Sequence, residues 1–180
     1  MKKISSIKNM MVGIFLISSM PMAYSAEKVA LVSGAFKRSI KVENIEYLAK
    51  TGKARGFLKD ALRFGNQDPK NVMEILNQEV ELPLVTTTRL MYSKIGVVII
   101  SRVAKIIHPL KVPDQSVAVP ALRSAIILGL EEGEGKINAV RLLKSYPNRT
   151  LAVNLPLLFN LLNKVETISD VIKYFSSSPL

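Results

Sequence analysis

The sequence predicts a mainly α, α+β domain: a bundle-like set of helices with a small antiparallel β element. Three observations carry this expectation. Apolar residues recur at helical spacing in most segments from Val42 onward. Alternation with a period of two occurs before Val42 and again at Leu151 and Val153. Residues that cap or stop helices fall between the runs, among them Gly52, Asp68-Pro69, Pro113, Gly133 and Pro147.

Each element follows from its own residues. Residues 1–25 read as a secretory signal peptide. Lys2, Lys3 and Lys8 form a basic head, and residues 10–20 are uncharged and mostly apolar. Pro21 precedes Ala23-Tyr24-Ser25, with small residues at both positions a signal peptidase reads. The apolar run is shorter than the roughly 20 residues a membrane-spanning helix needs. Cleavage after Ser25 leaves 155 of the 180 residues, the size of one domain.

Val29 and Leu31, then Phe36, Ile40 and Val42, alternate with polar or small residues around Ser33-Gly34, the pattern of a β-hairpin. Val42, Ile45, Leu48 and Ala49 take helical spacing, with Gly52 where a C-cap belongs. Leu58, Ala61 and Leu62 continue helically to Gly65. Asp68-Pro69 is an N-cap followed by proline at the first helical position, and Val72, Ile75 and Leu76 share one side of the helix behind it. Val80 and Leu82 form a short strand before Pro83.

Residues 84–92 read as a helix, and residues 95–107 as the clearest one. At 100° per residue, Ile95, Ile99, Val103 and Ile106 cluster on one side, with Lys94, Ser101, Arg102 and Lys105 on the other. Pro109 and Pro113 end it. His108 then sits at a helix terminus, where a partly positive imidazole suits the dipole. Residues 117–130 form the next helix, with Pro120 near its start. Ala139, Leu142 and Leu143 mark another, closed by Pro147.

Leu151 and Val153 alternate as a strand, expected to join the N-terminal hairpin because a lone hairpin is marginal in water. Residues 155–165, then Ile168, Val171, Ile172 and Phe175, complete the fold as helices, with Thr167 and Asp170 as a capping box. Ser176-Ser177-Ser178-Pro179 is a loose end. The organisation expected is a signal peptide at 1–25, one mostly helical domain at 26–175 and a tail at 176–180.

Composition narrows the function. The chain carries 25 Lys and Arg against 14 acids, a net charge of +11. Without Lys2, Lys3 and Lys8 the cations number 22 and the net charge is +8. A basic surface attracts nucleic acid, anionic lipid or an acidic partner. Export and the absence of Trp argue against nucleic acid, because single-strand binders stack bases on aromatic side chains. With no cysteine there are no disulfides, thiolate nucleophiles or Cys-ligated zinc sites, and no lipidated N-terminal Cys. No later segment reads as transmembrane. The best candidate, 95–107, contains Arg102 and Lys105 and follows Lys94, and charges there are costly in lipid.

No catalytic or metal-binding constellation emerges. His108 is the one histidine available to activate a serine, and the G-x-S-x-G elbow does not occur in the sequence. One histidine without cysteine cannot build a zinc site unless several carboxylates help. Glu131, Glu132 and Glu134 form an acidic turn without the ligand spacing of a calcium loop. Glu43, Glu46, Asp60, Glu74, Glu79 and Glu81 are scattered, with no pair set into a cleft by sequence. The P-loop spacing is absent, and Asn148-Arg149-Thr150 fits a glycosylation acceptor but reads as the start of a strand. No cofactor is implied.

Several stretches, in order, carry a family resemblance: Val42-Glu43-Asn44-Ile45-Glu46-Tyr47-Leu48-Ala49-Lys50-Thr51-Gly52, Glu79-Val80-Glu81-Leu82-Pro83-Leu84, Ala121-Leu122-Arg123-Ser124-Ala125 and Leu142-Leu143-Lys144-Ser145-Tyr146-Pro147. Together they resemble a cyanobacterial domain of unknown function that often follows a signal peptide and precedes an α/β-hydrolase domain. The resemblance covers essentially all of 27–165. It implies cyanobacterial origin, and hence the periplasm or thylakoid lumen. It carries over no catalytic residue, and it implies a stand-alone leader domain without the hydrolase domain.

The expectation is therefore an exported, non-catalytic binding or accessory module rather than an enzyme. Its partner would be a protein, an apolar ligand or an α/β-hydrolase. An apolar ligand would lie between the helices at 95–107 and 117–130. A second reading is a peripheral binder of anionic membrane, with Lys94, Arg102 and Lys105 as the contacts. Hydrolase-associated activity rests on the family label alone.

Overall fold

The chain builds its core around two short strands that are distant in sequence and buried on both faces. The structure is a computed structural model and describes residues 25–164. All but the last residue of the signal peptide expected at 1–25, the helix expected around Ile168–Phe175 with its Thr167/Asp170 cap, and the tail expected at 176–180 lie outside the described residues.

Strands β1 (Lys28–Ser33) and β2 (Phe36–Lys41) form the expected antiparallel hairpin, with Gly34 in the left-handed region at φ 58°. Strand β6 (Thr150–Asn154) does join β1, but it runs parallel to it, Lys28 opposite Thr150 and Val32 opposite Asn154. The element is therefore mixed and not purely antiparallel. A parallel pair needs a long crossover, and the chain between β2 and β6, which carries every described helix but the one after β6, supplies most of it. The Arg149 carbonyl accepts from both the Glu27 and Lys28 amides at 3.0 Å, which aligns the two strand starts.

Strand β4 (Ile107–Pro109) completes the sheet antiparallel to β6, giving the order β2-β1-β6-β4. The sequence places Ile107 in a helix and His108 at its end; both belong instead to this edge strand. Pro109, without an amide proton, is tolerated there because an edge strand leaves one side unpaired. In the middle strands Val29, Leu31, Leu151 and Val153 alternate with Ala30 and Ala152, and all six are buried. Burial on both faces is what a strand in the middle of a covered sheet requires, and the small Ala30 and Ala152 let the second face pack closely.

Eight helices surround the sheet among the described residues: α1 (Val42–Thr51), α2 (Phe57–Phe64), α3 (Pro69–Asn77), α4 (Leu84–Tyr92), α5 (Lys94–Ile106), α6 (Gln115–Glu132), α7 (Ala139–Lys144) and α8 (Leu155–Leu162). Gly52 caps α1 in the left-handed conformation at φ 67°, its amide bonding the Leu48 carbonyl at 2.8 Å. Asp68 caps α3 through the Lys70 amide, and Asp114 caps α6 through the Ser116 amide at 2.7 Å. Glu131 and Glu132 end α6, Gly133 follows, and Glu134 and Gly135 turn the chain into β5 (Lys136–Ile137), which pairs with β3 (Val80–Glu81) as a separate ribbon. Sequence reading found the first of these two strands and missed the second.

One helix is rotated relative to its predicted stripe. The buried residues of α5 are Gly96, Ile100, Ala104 and Ile106, while Ile95 is 67% exposed. The cause is the preceding bend, where α4 and α5 meet at 85°. Gly96 lies so close to α4 that a Cβ there would run into the Leu90 carbonyl oxygen. The helix packs by Gly96, Ile100 and Ala104, and of the predicted stripe Ile106 is buried and Val103 packs against the core.

Candidate functional site

An apolar hollow lies at the turn end of the hairpin. Helix α2 begins after Gly56, whose φ of 53° suits a residue without Cβ, and presents Phe57, Asp60, Ala61 and Phe64 at helical spacing. Leu58, Ala61 and Leu62 are its core residues. Ser33 and Phe36 from the hairpin and Leu155 from the first turn of α8 close the other sides of a cleft of about 360 Å³. The Phe36 and Phe57 rings lie 5.7 Å apart, tilted at 42°, and the Arg38 guanidinium sits 5.1 Å from the Phe57 ring centre. Phe64 is 77% exposed and Phe36 50% exposed. Three of the six phenylalanines of the chain thus line one hollow.

Behind this cleft, Gly65 is held against α8, since a Cβ there would run into the Phe159 ring. Nearby on α1, the Arg55 guanidinium stacks on the Tyr47 ring at 3.1 Å. Its hydrogen bond to the phenol, aided by Thr51, holds Tyr47 below the ordinary tyrosine value.

A second, polar cleft of about 410 Å³ gathers Glu46 and Lys50 of α1, Asn77 of α3, Glu132 of α6, and Arg141 and Lys144 of α7. Its carboxylates are already engaged. Glu46 pairs with Lys144 at 3.5 Å, and Glu132 accepts from the Ser145 hydroxyl at 3.3 Å. Glu79 pairs with Arg141 at 3.7 Å. Two scattered acids of the sequence, Glu46 and Glu132, are therefore neighbours in space, each held by its own partner. Among the described residues, no three His, Asp or Glu side chains converge in a metal-binding group.

His108 is half-buried in β4, with Nδ1 3.1 Å from the Pro109 carbonyl oxygen. Lys94, Arg102 and Lys105 lie on one face of α5, opposite its buried residues; Lys94 and Lys105 are exposed and Arg102 is half-buried. Ile95 and Val98 share that face with the cations. Between α5 and α6, where the sequence reading set an apolar ligand, the inward residues Ile100, Ala104, Ala118, Ala121, Leu122 and Ala125 all belong to the core. The apolar hollow lies instead at α2.

Sequence reasoning missed Phe36, Phe57 and Phe64. The signal was present in the i, i+3, i+4, i+7 spacing of Phe57, Asp60, Ala61 and Phe64, which marks a second face beside the core stripe. Phe36, across the hairpin turn, could be joined to that face only by the fold.

A family model described as "Alpha/beta hydrolase of unknown function (DUF1400)" matches residues 25–154, and the chain belongs to that family. The match runs from the residue before Ala26 through the last residue of β6. No curated protein and no solved structure matches the chain.

Proposed function

We propose that this member of the family is an exported, non-catalytic binding module, and that the phenylalanine cleft takes an apolar group such as an acyl chain or an aromatic ring. The observation that carries the reading is the cleft itself. Its volume falls within the roughly 300–1,000 Å³ range of small-molecule sites, and its lining is apolar except for Asp60 and Ser33 at the rim. Exposed phenyl rings of this size cost free energy in water and favour an occupant. Export is supported by the charged head, short apolar run and Ala23-Tyr24-Ser25 site of residues 1–25.

The test is solvent extraction of the purified protein for bound lipid, together with titration of a fluorescent fatty acid. Wild-type protein is expected to bind the probe, and Phe64→Ser to weaken binding about tenfold, since the ring contributes on the order of 1.5 kcal/mol when covered. Repeated absence of extracted lipid and of probe binding would end the reading. An esterase assay is the counter-test: turnover by the chain that His108→Ala abolishes would replace a binding module with a hydrolase.

A further inference from the structure

A different face of the molecule combines two properties that rarely coincide on a protein surface. The first is exposed bulk apolar surface at the α4–α5 bend. Val85, Leu90, Tyr92, Ile95, Val97 and Val98 are all exposed, with Tyr92 at 64% and Ile95 at 67%. They fall within fourteen consecutive residues. Large exposed apolar side chains concentrated in one short segment mark a candidate contact surface.

The second property is charge. From Leu82 to Pro113 the sequence holds Arg89, Lys94, Arg102, Lys105 and Lys111, and not one Asp or Glu. The 14 acids of the chain all lie elsewhere. On α5 the cations do not segregate from the exposed apolar residues. Lys94, Ile95, Val98, Arg102 and Lys105 share the outward face. Exposed apolar side chains that can enter the interface, flanked by cations that reach the lipid phosphates, supply the two kinds of contact by which a peripheral helix holds an anionic bilayer. An acidic protein surface would match the charge but would leave the aliphatic ends of Ile95 and Val98 without apolar cover.

The bend fixes how such a contact would be made. Among the described residues no single helix is long and apolar enough to cross a membrane. The pair α4 and α5 is apolar enough only taken together, and it is bent by 85°. Gly96 against the Leu90 carbonyl holds that bend. Arg123 of α6 braces it from behind, with its guanidinium 4.2 Å from the Tyr92 ring centre and its Nε donating to the Met91 carbonyl at 3.3 Å. Bent in this way, the pair does not form one straight spanning helix.

We infer that the α4–α5 bend is a docking face for anionic lipid bilayers, with Ile95 and Val98 inserted among the headgroups and Lys94 and Lys105 on the lipid phosphates. This face is separate from the phenylalanine cleft, so either assignment can fail without the other. The experiment is co-sedimentation of the full chain with phosphatidylglycerol and phosphatidylcholine vesicles at low and high salt. Binding is expected with phosphatidylglycerol only, and to fall with salt, because exposed charges are screened within about 10 Å at 0.1 M. Lys94→Gln and Lys105→Gln are each expected to weaken it about fivefold. The pair Ile95→Ser with Val98→Ser is expected to abolish it, with circular dichroism unchanged because these side chains are exposed. Lack of sedimentation with phosphatidylglycerol at low salt, binding indifferent to salt, or binding unchanged in all these variants would overturn the inference. The first of these results would leave the face to an acidic protein partner.

Discussion

The α4–α5 bend and the phenylalanine cleft both hold large apolar side chains in water, yet they are built for different occupants. At the bend the exposed residues stand beside Lys94 and Lys105, in a stretch without a single acid. In the cleft, Phe36, Phe57 and Phe64 enclose about 360 Å³, with the Asp60 carboxylate at the rim. An enclosing shape selects a small molecule, because only a small molecule can be surrounded. An open face ringed by cations selects an extended anionic surface, where many weak contacts add. Exposed hydrophobicity alone therefore says little about function. Its curvature and the sign of its neighbouring charge say more.

The two regions also rest on different supports, and glycine substitutions separate them. The largest effect is expected for Gly96→Ala, whose Cβ would run into the Leu90 backbone, which cannot swing aside. A loss of about 3 kcal/mol in urea unfolding is expected, with vesicle binding lost and fatty-acid binding kept at temperatures where the protein stays folded. Gly65→Ala presses on the Phe159 side chain, which can give way in part. About 2 kcal/mol is expected by the same measurement, with the cleft perturbed and the bend untouched.

Tyr146 offers a change remote from both. It is 1% exposed and its hydroxyl has no hydrogen-bond partner among the described residues. Tyr146→Phe removes an unsatisfied group and is expected to raise stability by about 1 kcal/mol with neither binding property altered. Burial also pushes the Tyr146 phenol well above its ordinary value of 10. Above pH 10 the unfolded chain loses this proton while the folded one keeps it, so wild-type stability falls as pH rises. Tyr146→Phe is expected to flatten that fall in alkaline urea titrations.

The smallest effects on stability are expected for Ile95→Ser and Phe64→Ser, each within about 0.5 kcal/mol, because surface changes away from structural features rarely cost more. Thermal melts would check this. A large loss in either would mean that the side chain is part of the fold rather than a contact surface.

What the sequence made legible were features set by neighbours along the chain. The hairpin turn at Gly34, the C-cap at Gly52 and the Asp68-Pro69 cap depend on a few adjacent residues, and they appear where expected. The Leu151–Val153 strand was recognisable from alternation, and its partner from the marginal stability of a lone hairpin. Its parallel direction was not, because that depends on where a crossover of more than a hundred residues returns. Strand β4 was read as helix because Ile107 continues an apolar run, and only pairing with β6 draws it into the sheet. The outward turn of Ile95 was hidden for a similar reason. It follows from Gly96 meeting a carbonyl in another helix, a contact that no periodicity records. The cleft stands between these cases, with one wall written in the spacing of α2 and the other supplied by the hairpin.

The chain contains no tryptophan, so a single introduced indole reports on one place alone. Ile95→Trp and Phe64→Trp proteins, each mixed with phosphatidylglycerol vesicles, compare the two regions directly. The emission of Ile95→Trp should shift to the blue and be quenched by brominated acyl chains, while that of Phe64→Trp stays as it is in buffer. A blue shift at position 64 without one at position 95, or no shift at either, would contradict the assignment of the bend to lipid.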